Sequence, residues 1–106
     1  MKKLIAAEQD NLMALNNLAI LYLEGKGVEK DVTKATEIYA RAAELGEPYA
    51  QYNLGMSYFM GQGVEKSYEK AAYWFNECVN NPYADDNILK EAKEKLENPN
   101  VKAALK

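Results

Sequence analysis

The chain has 106 residues and a net charge of -3, with acidic and basic residues interspersed, so it lacks the clustered positive charge that nucleic acid binding requires. It contains no histidine, which removes the commonest general base and metal ligand, and we expect neither catalysis nor a metal or other cofactor. Cys78 is the only cysteine, which excludes an internal disulfide and favours a reducing compartment, the cytoplasm.

A repeat of 36 residues is the main pattern in the sequence: residues 25–30 (GKGVEK) return as residues 61–66 (GQGVEK). A period of this size is typical of a solenoid built from stacked helical hairpins. The same displacement aligns several other positions, which are Ala14 with Ala50, Asn17 with Asn53, Leu18 with Leu54, Tyr22 with Tyr58, and residues 34–35 with residues 70–71.

Residues 1–10 are in register with the end of a second helix, because residues 6–8 (AAE) align with residues 42–44 (AAE). The apolar run over residues 4–7 is too short for a signal peptide or a membrane span, so we expect no membrane association. The pattern predicts a partial helix or N-terminal cap over residues 1–10. Such a partial unit leaves an apolar end, and we expect it to contact a preceding repeat or to mediate weak self-association.

The first full repeat, residues 11–46, carries the signals of two helices joined by a tight turn. Gly25 and Gly27 permit the turn, Asp31 is the expected N-cap of the second helix, and Gly46 ends that helix. Ala35, Ile38, Tyr39 and Ala42 are predicted to face inward.

The second repeat, residues 47–80, has the same organisation. Pro48 is suited to the first turn of a helix that ends at Gly61, and Ser67 is the expected N-cap of a helix reaching about Val79. We therefore predict two superposable helix pairs over residues 11–79, with Gly25 and Gly61 in equivalent conformations and essentially no β-structure.

A partial third repeat or C-terminal cap is predicted over residues 81–106, where residues 81–88 resemble residues 47–54 after a shortening of two residues. Ile88, Ala92 and Leu96 form an apolar stripe on an otherwise polar helix, as a terminal cap of a solenoid requires. Asp85 and Asp86 lie near the start of this helix, which favours helix capping over a cation site.

These features resemble the Sel-one-like repeat family, a relative of the tetratricopeptide repeat with a longer loop between its two helices. The resemblance rests on Ala50, Leu54-Gly55, Tyr58, Gly61-x-Gly63-Val64, Lys70-Ala71 and Trp74-Phe75, together with the weaker copy in the first repeat. It implies one all-α domain over residues 1–106, a superhelix of antiparallel helix pairs that serves as an adaptor or scaffold for a protein partner.

Two alternatives to an adaptor come from the same resemblance. Some exported relatives carry a cysteine pair in every repeat and have been associated with penicillin binding or hydrolysis, which suggests a cell-wall-related or β-lactamase-like hydrolase. Here Ala42 and Cys78 occupy equivalent positions and no second cysteine exists, so this branch is not favoured. An immunity or inhibitor protein, which is still a binder, is the other alternative.

The resemblance also implies a binding surface, because the first helix of each pair lines the concave side of such a superhelix. Apolar residues opposite the Ala50 and Leu54 face are therefore candidate anchors for a peptide or protein segment. The alternative is that they pack against neighbouring repeats, which we expect for about half of them. The candidates are Tyr49, Tyr52, Met56, Phe59 and Met60, with Met13, Asn16, Ile20 and Leu23 from the preceding unit.

Asparagine recurs once per unit, as Asn17, Asn53 and Asn87. In similar tetratricopeptide arrays an asparagine near this position holds the backbone of a bound peptide, since its amide both donates and accepts hydrogen bonds. A local hydrogen bond within the helix pair is the alternative, and the sequence favours neither.

Overall fold

The computed structural model describes residues 6–105, with side chains from residue 11 onwards. This part of the chain is helical and contains no β-strand. Its helices are α1 (Ala6–Glu24), α2 (Val32–Glu44), α3 (Pro48–Met60), α4 (Tyr68–Val79), α5 (Asp86–Leu96) and α6 (Pro99–Ala104). None of these helices is long and apolar enough to span a membrane.

Helix α1 is longer than the sequence pattern predicts. Residues 6–8, which were expected to end a separate preceding helix, continue without a break into α1. No glycine or proline occurs between Ala6 and Glu24, so nothing interrupts the backbone hydrogen bonding there. Residues 1–5, the rest of the predicted partial helix, lie outside the described residues.

The predicted caps and turns are confirmed. The Asp31 side chain accepts a hydrogen bond from the Lys34 amide at 3.0 Å, and the Ser67 hydroxyl accepts one from the Lys70 amide at 3.1 Å. Gly25 and Gly61 adopt φ angles of 70° and 69°, the left-handed conformation that only glycine adopts without strain. The two repeats thus begin and end their helices by the same local chemistry.

Helices α1 and α2 form one hairpin, α3 and α4 form the next, and α3 packs on α2 as well as on α4. The core between the first and second repeats consists mainly of alanine with one aromatic and one aliphatic side chain: Ala19, Ala35, Tyr39, Ala42, Ala43, Ala50 and Leu54. Because alanine dominates this set, the helix axes approach closely. The stack is therefore a continuous core shared between repeats.

The turn of the second repeat that contains Gln62 and Gly63 also contacts α2 of the first repeat. The hydroxyl of Thr36 on α2 donates a hydrogen bond to the carbonyl oxygen of Gln62 at 3.1 Å. Gly63, with φ of 76°, lies so close to α2 that a methyl group there would collide with the Thr36 side chain and the Val32 carbonyl. Gly63 is thus needed for its conformation and for its lack of a side chain.

The third unit closes the C-terminal end of the stack. Asp85 caps α5 by accepting a hydrogen bond from the Ile88 amide at 3.0 Å, and Ile88 and Ala92 are buried against the preceding repeat. Helix α6 then turns back onto α4, where Val101 is fully buried beside Phe75. The polar outer face predicted for α5 is present.

Gly63 and Gly27 provide a matched pair for testing the contact between repeats. Both have positive φ angles, 76° and 75°, but Gly27 has no other atom within 4 Å of the place where a methyl group would be added. We expect Gly27→Ala to cost about 1–2 kcal/mol from backbone strain alone, and Gly63→Ala to cost roughly 2 kcal/mol more because of overpacking. Urea unfolding of both variants measures the difference, and equal costs would mean that the Gly63 contact is not a constraint.

Candidate binding surface

The first helices of the three units, α1, α3 and α5, run side by side and leave one side of each helix open. Helical periodicity places residues at i, i+4 and i+7 on one side, so each helix contributes a short row to a common surface. We call this surface the open face. It consists of Met13, Asn17 and Ile20 on α1, Tyr49, Asn53, Met56 and Met60 on α3, and Asn87 on α5.

The residues of the open face differ in their exposure to solvent. Met13, Asn17, Met60 and Asn87 are exposed, and 54% of the surface of Met60 is accessible. Ile20 and Met56 are half-buried, because Ile20 packs on the core of the first repeat and Met56 packs near Phe75. The open face is therefore a mixture of exposed methionine, exposed amide and partly covered apolar surface.

The three recurring asparagines are not equivalent in the structure. The Asn53 side-chain amide donates a hydrogen bond to the Asn16 side-chain oxygen at 3.0 Å, which ties α3 to α1. Asn16 is buried, so the expectation that it lines a groove is corrected. The Asn53 hydrogen bond thus joins two helix pairs and does not lie within one, whereas Asn17 and Asn87 remain at the surface.

Tyr52 and Phe59, the other aromatic candidates, are half-buried and lie beside the row that forms the open face. Both pack on Phe75 of α4, with ring centroids 5.5 Å and 6.5 Å from that of Phe75. Phe59 also contacts the edge of Tyr68 at 5.6 Å. Together these four rings form an aromatic cluster of the second repeat, in which Phe75 is fully buried and the other three are half-buried.

Gly55 is the physical reason for this arrangement. A methyl group on Gly55 would lie 2.7 Å from the ring of Phe75, so the phenyl ring fits against α3 only because position 55 has no side chain. Tyr52 and Phe59 lie three residues before and four residues after Gly55, on the same side of the helix, and therefore flank the inserted ring. In the first repeat the position equivalent to Gly55 is Ala19, which is buried against Tyr39 and other core residues.

Tyr49 lies at the edge of the open face and is held there by a hydrogen bond. Its hydroxyl donates to a carboxylate oxygen of Asp85 at 2.6 Å. This hydrogen bond raises the pKa of Tyr49 to about 12, with smaller contributions from burial and from nearby negative charge. The same bond, together with the Ile88 amide, lowers the pKa of the exposed Asp85 carboxyl. Tyr49 thus joins the second unit to the third.

Below Tyr49 lies a buried carboxyl group that sequence reasoning missed. Glu47 is the N-cap of α3, and its Oε1 accepts a hydrogen bond from the Ala50 amide at 2.7 Å. Its Oε2 is buried without a hydrogen-bond partner, and burial raises the pKa of this carboxyl even though the Ala50 and Tyr49 amides act to lower it. The position directly before Pro48 was the available signal, since an N-cap precedes a proline at the first helical position.

Cys78 is fully buried near the same junction. Burial raises the pKa of its thiol to about 12, and the negative charges of Glu47 and Asp85 add to this effect. A thiol in this environment is neither ionised nor accessible at neutral pH, so it is a packing residue.

Comparison with known proteins identifies the repeat. The sequence profile of the Sel1 repeat matches residues 12–47 and 48–77, which together make up more than half of the chain. The chain belongs to the Sel1 repeat family. Members of this family are helical repeat modules of protein interaction.

Two solved structures extend the comparison of Sel1 folds. The crystal structure of a Sel1 repeat protein from Oxalobacter formigenes is 34% identical, with a TM-score of 0.69, over 78% of this chain and 61% of that one. A protective antigen of uropathogenic Escherichia coli with an SLR fold is 29% identical, with a TM-score of 0.65, over 85% of this chain and 23% of that one. The chain thus spans less than two thirds of either structure. No curated protein sequence shows a significant match.

The assignment of Phe59 to the core and Met60 to the surface of this Sel1 domain is testable with two neighbouring alanine variants. We expect Phe59→Ala to destabilise the fold by about 2 kcal/mol, because it removes ring contacts with Phe75 and Tyr68. We expect Met60→Ala to cost less than about 0.5 kcal/mol, because Met60 is exposed. Chemical denaturation gives both values, and similar costs would contradict the assignment.

Glu47→Gln tests the buried carboxyl through the pH dependence of stability. A carboxyl whose pKa is raised by folding contributes stability that is complete below its unfolded pKa and is lost as the pH rises through its folded pKa. We therefore expect the free energy of unfolding of Glu47→Gln, relative to the parent, to improve between pH 4 and pH 7, as measured by urea titrations across that range.

Asp85→Asn is the control for this experiment, because the pKa of Asp85 is lowered by folding. Its contribution to stability is present above the unfolded pKa and is lost as the pH falls, so the dependence has the opposite sign. If the free energy of unfolding relative to the parent changed with pH in the same way for both variants, the pKa of Glu47 would not be raised.

Proposed function

We propose that this Sel1 domain binds a segment of a partner protein along the open face of α1, α3 and α5. The observation that carries the proposal is that the open face combines exposed methionines, Met13 on α1 and Met60 on α3, with surface asparagines such as Asn17. Flexible apolar side chains supply contact area, while amides supply hydrogen bonds to a partner backbone. This combination suits a peptide-like ligand.

The packing of the different sides of α3 supports the proposal. Its Leu54 side packs on α2 and its Phe59 side packs on α4, so the side with Asn53 and Met60 is the one left for a partner. Because the other sides hold the repeats together, a partner on the open face would not compete with folding.

The chemistry expected of the partner follows from the side chains present. One or two apolar residues of the segment would contact Met13, Met56 and Met60, and its backbone would hydrogen-bond the amides of Asn17 and Asn87. Met56 is half-buried, so it forms the floor of the surface, and the exposed Met60 forms its rim. The proposal does not extend to the identity of the partner protein.

A hydrolase is not proposed. The single thiol, Cys78, is buried with its pKa raised to about 12, and the carboxyl of Glu47 is buried beneath α3 rather than facing an open site. Among the described residues, no group of histidine, cysteine, aspartate and glutamate side chains has the geometry to hold a metal ion. The expectation of a cytoplasmic location remains a proposal based on the single cysteine.

The proposal is tested with a peptide selected from a random library for binding to the wild-type domain, whose affinity is then measured for two charge variants. Met60→Glu places a carboxylate on the open face, and Leu45→Glu places one at the end of α2. The two positions are matched, since Met60 is 54% exposed and Leu45 is 52% exposed. Calorimetric titration should show about tenfold weaker binding for Met60→Glu, roughly 1.4 kcal/mol, and no change for Leu45→Glu.

Circular dichroism melting curves of both variants control for folding. The proposal fails if the selected peptide binds Met60→Glu as tightly as the wild type, or if Leu45→Glu weakens binding to the same extent.

A further inference from the structure

Helices α1 and α3 are equivalent in the repeat, but the side that is buried in α3 is exposed in α1. In α3, Ala50, Leu54 and Ser57 face α2 and have at most 4% of their surface accessible. The equivalent residues of α1, one repeat earlier, are Ala14, Leu18 and Leu21, and all three are exposed, with Leu18 at 38% and Leu21 at 39%. We call these three residues the end face.

The turns that follow α1 and α3 also differ in whether a neighbouring helix covers them. In the second repeat the turn at Gly63 is covered by Thr36 of α2, whereas Gly27 in the first repeat has open space around it. The helix face and the turn thus lack the same neighbour, which is a helix placed as α2 is placed on the second repeat. Because the alanine and leucine of this interface recur unchanged in α1, the end face is built for the same kind of helix.

We propose that the end face binds the second helix of another Sel1-type repeat, carried by a separate polypeptide and oriented on α1 as α2 is oriented on α3. The chemistry of this occupant is given by the α2 side chains that contact the second repeat and its core. It is an amphipathic helix with a stripe of β-branched, aromatic and small residues equivalent to Thr36, Tyr39 and Ala43. This surface is distinct from the open face, and the inference does not rest on the proposed function.

A separate polypeptide is favoured over a directly joined repeat by the path of α1. The short turn that connects α2 to α3, residues 45–47, corresponds to residues 9–11, which lie within α1. Since α1 continues straight through this position, a preceding helix cannot be joined there by the same turn.

A second copy of this chain is also disfavoured, because its described residues, 6–105, offer no free helix of the required kind. The small-residue side of α2 is already buried between α1 and α3, and α4 is covered by α3, α5 and α6.

The end face differs from the equivalent side of α3 at one of its three positions, where Leu21 replaces Ser57. Because leucine is larger than serine, the partner helix must present a smaller side chain opposite Leu21 than α2 presents opposite Ser57.

The experiment presents α2 to the end face at high effective concentration. A second copy of residues 31–46, which contains α2 and its N-cap, is attached to Met1 of the full chain by a flexible Gly/Ser linker of about 20 residues, long enough to reach along α1. Thermal unfolding is measured for this fusion with Leu21 and with Leu21→Ser, which matches the end face to α3. We expect a rise in the unfolding midpoint of roughly 3 °C or more over the matched control, larger with Leu21→Ser.

The matched control is the same fusion with Thr36→Glu and Ala43→Glu in the attached helix only, which destroys its packing stripe. Leu18→Lys in α1 should remove the stabilisation, since Leu18 is exposed in the chain without the fusion and the variant is expected to fold. The proposal is overturned if the intact and stripe-broken fusions melt at the same temperature in both Leu21 backgrounds. It is also overturned if light scattering finds the unfused chain as a dimer that Leu18→Lys dissociates, because a second copy would then occupy the end face.

Discussion

The close approach of α2 to the second repeat is the constraint on which the rest of the structure depends. It requires alanine along the helix contact, a glycine at position 63, and a hydroxyl on Thr36 that reaches the Gln62 carbonyl. A larger side chain at any of these points would separate the repeats and change the angle between them. The relative positions of α1 and α3, and hence most of the open face, are set by this contact.

Helix α3 shows how the sides of one helix are divided among neighbours. Small residues at one side admit α2, Gly55 at another admits the ring of Phe75, and the remaining side carries the methionines and Asn53. An outer helix such as α1 has fewer neighbours, so the side that α3 buries on α2 is exposed there. The same repeat sequence thus gives different surfaces according to its place in the stack.

The junction between the second and third units is more polar than the first junction. Asn81 donates hydrogen bonds to the Gly46 carbonyl and the Gln51 side chain, at 2.8 Å and 3.0 Å, and Tyr49 donates to Asp85. Glu47 is buried among these groups with one oxygen unpaired. Hydrogen bonds depend on direction more than apolar contacts do, so this junction fixes the orientation of α5 while Ile88 and Ala92 supply the burial.

The sequence by itself determined the helix pairs, their caps at Asp31 and Ser67, the left-handed turns at Gly25 and Gly61, and the family, because these features depend on local backbone chemistry repeated at a fixed period. It placed Met13, Asn17, Met60 and Asn87 at the surface, but it misplaced Asn16, which is buried, and it did not reveal that Tyr52 and Phe59 pack on Phe75. Periodicity identifies which residues share a side of a helix and not which neighbour covers that side. Only the tertiary structure decided this, since the insertion of Phe75 at Gly55 and the pairing of Asn53 with Asn16 join residues from different helices.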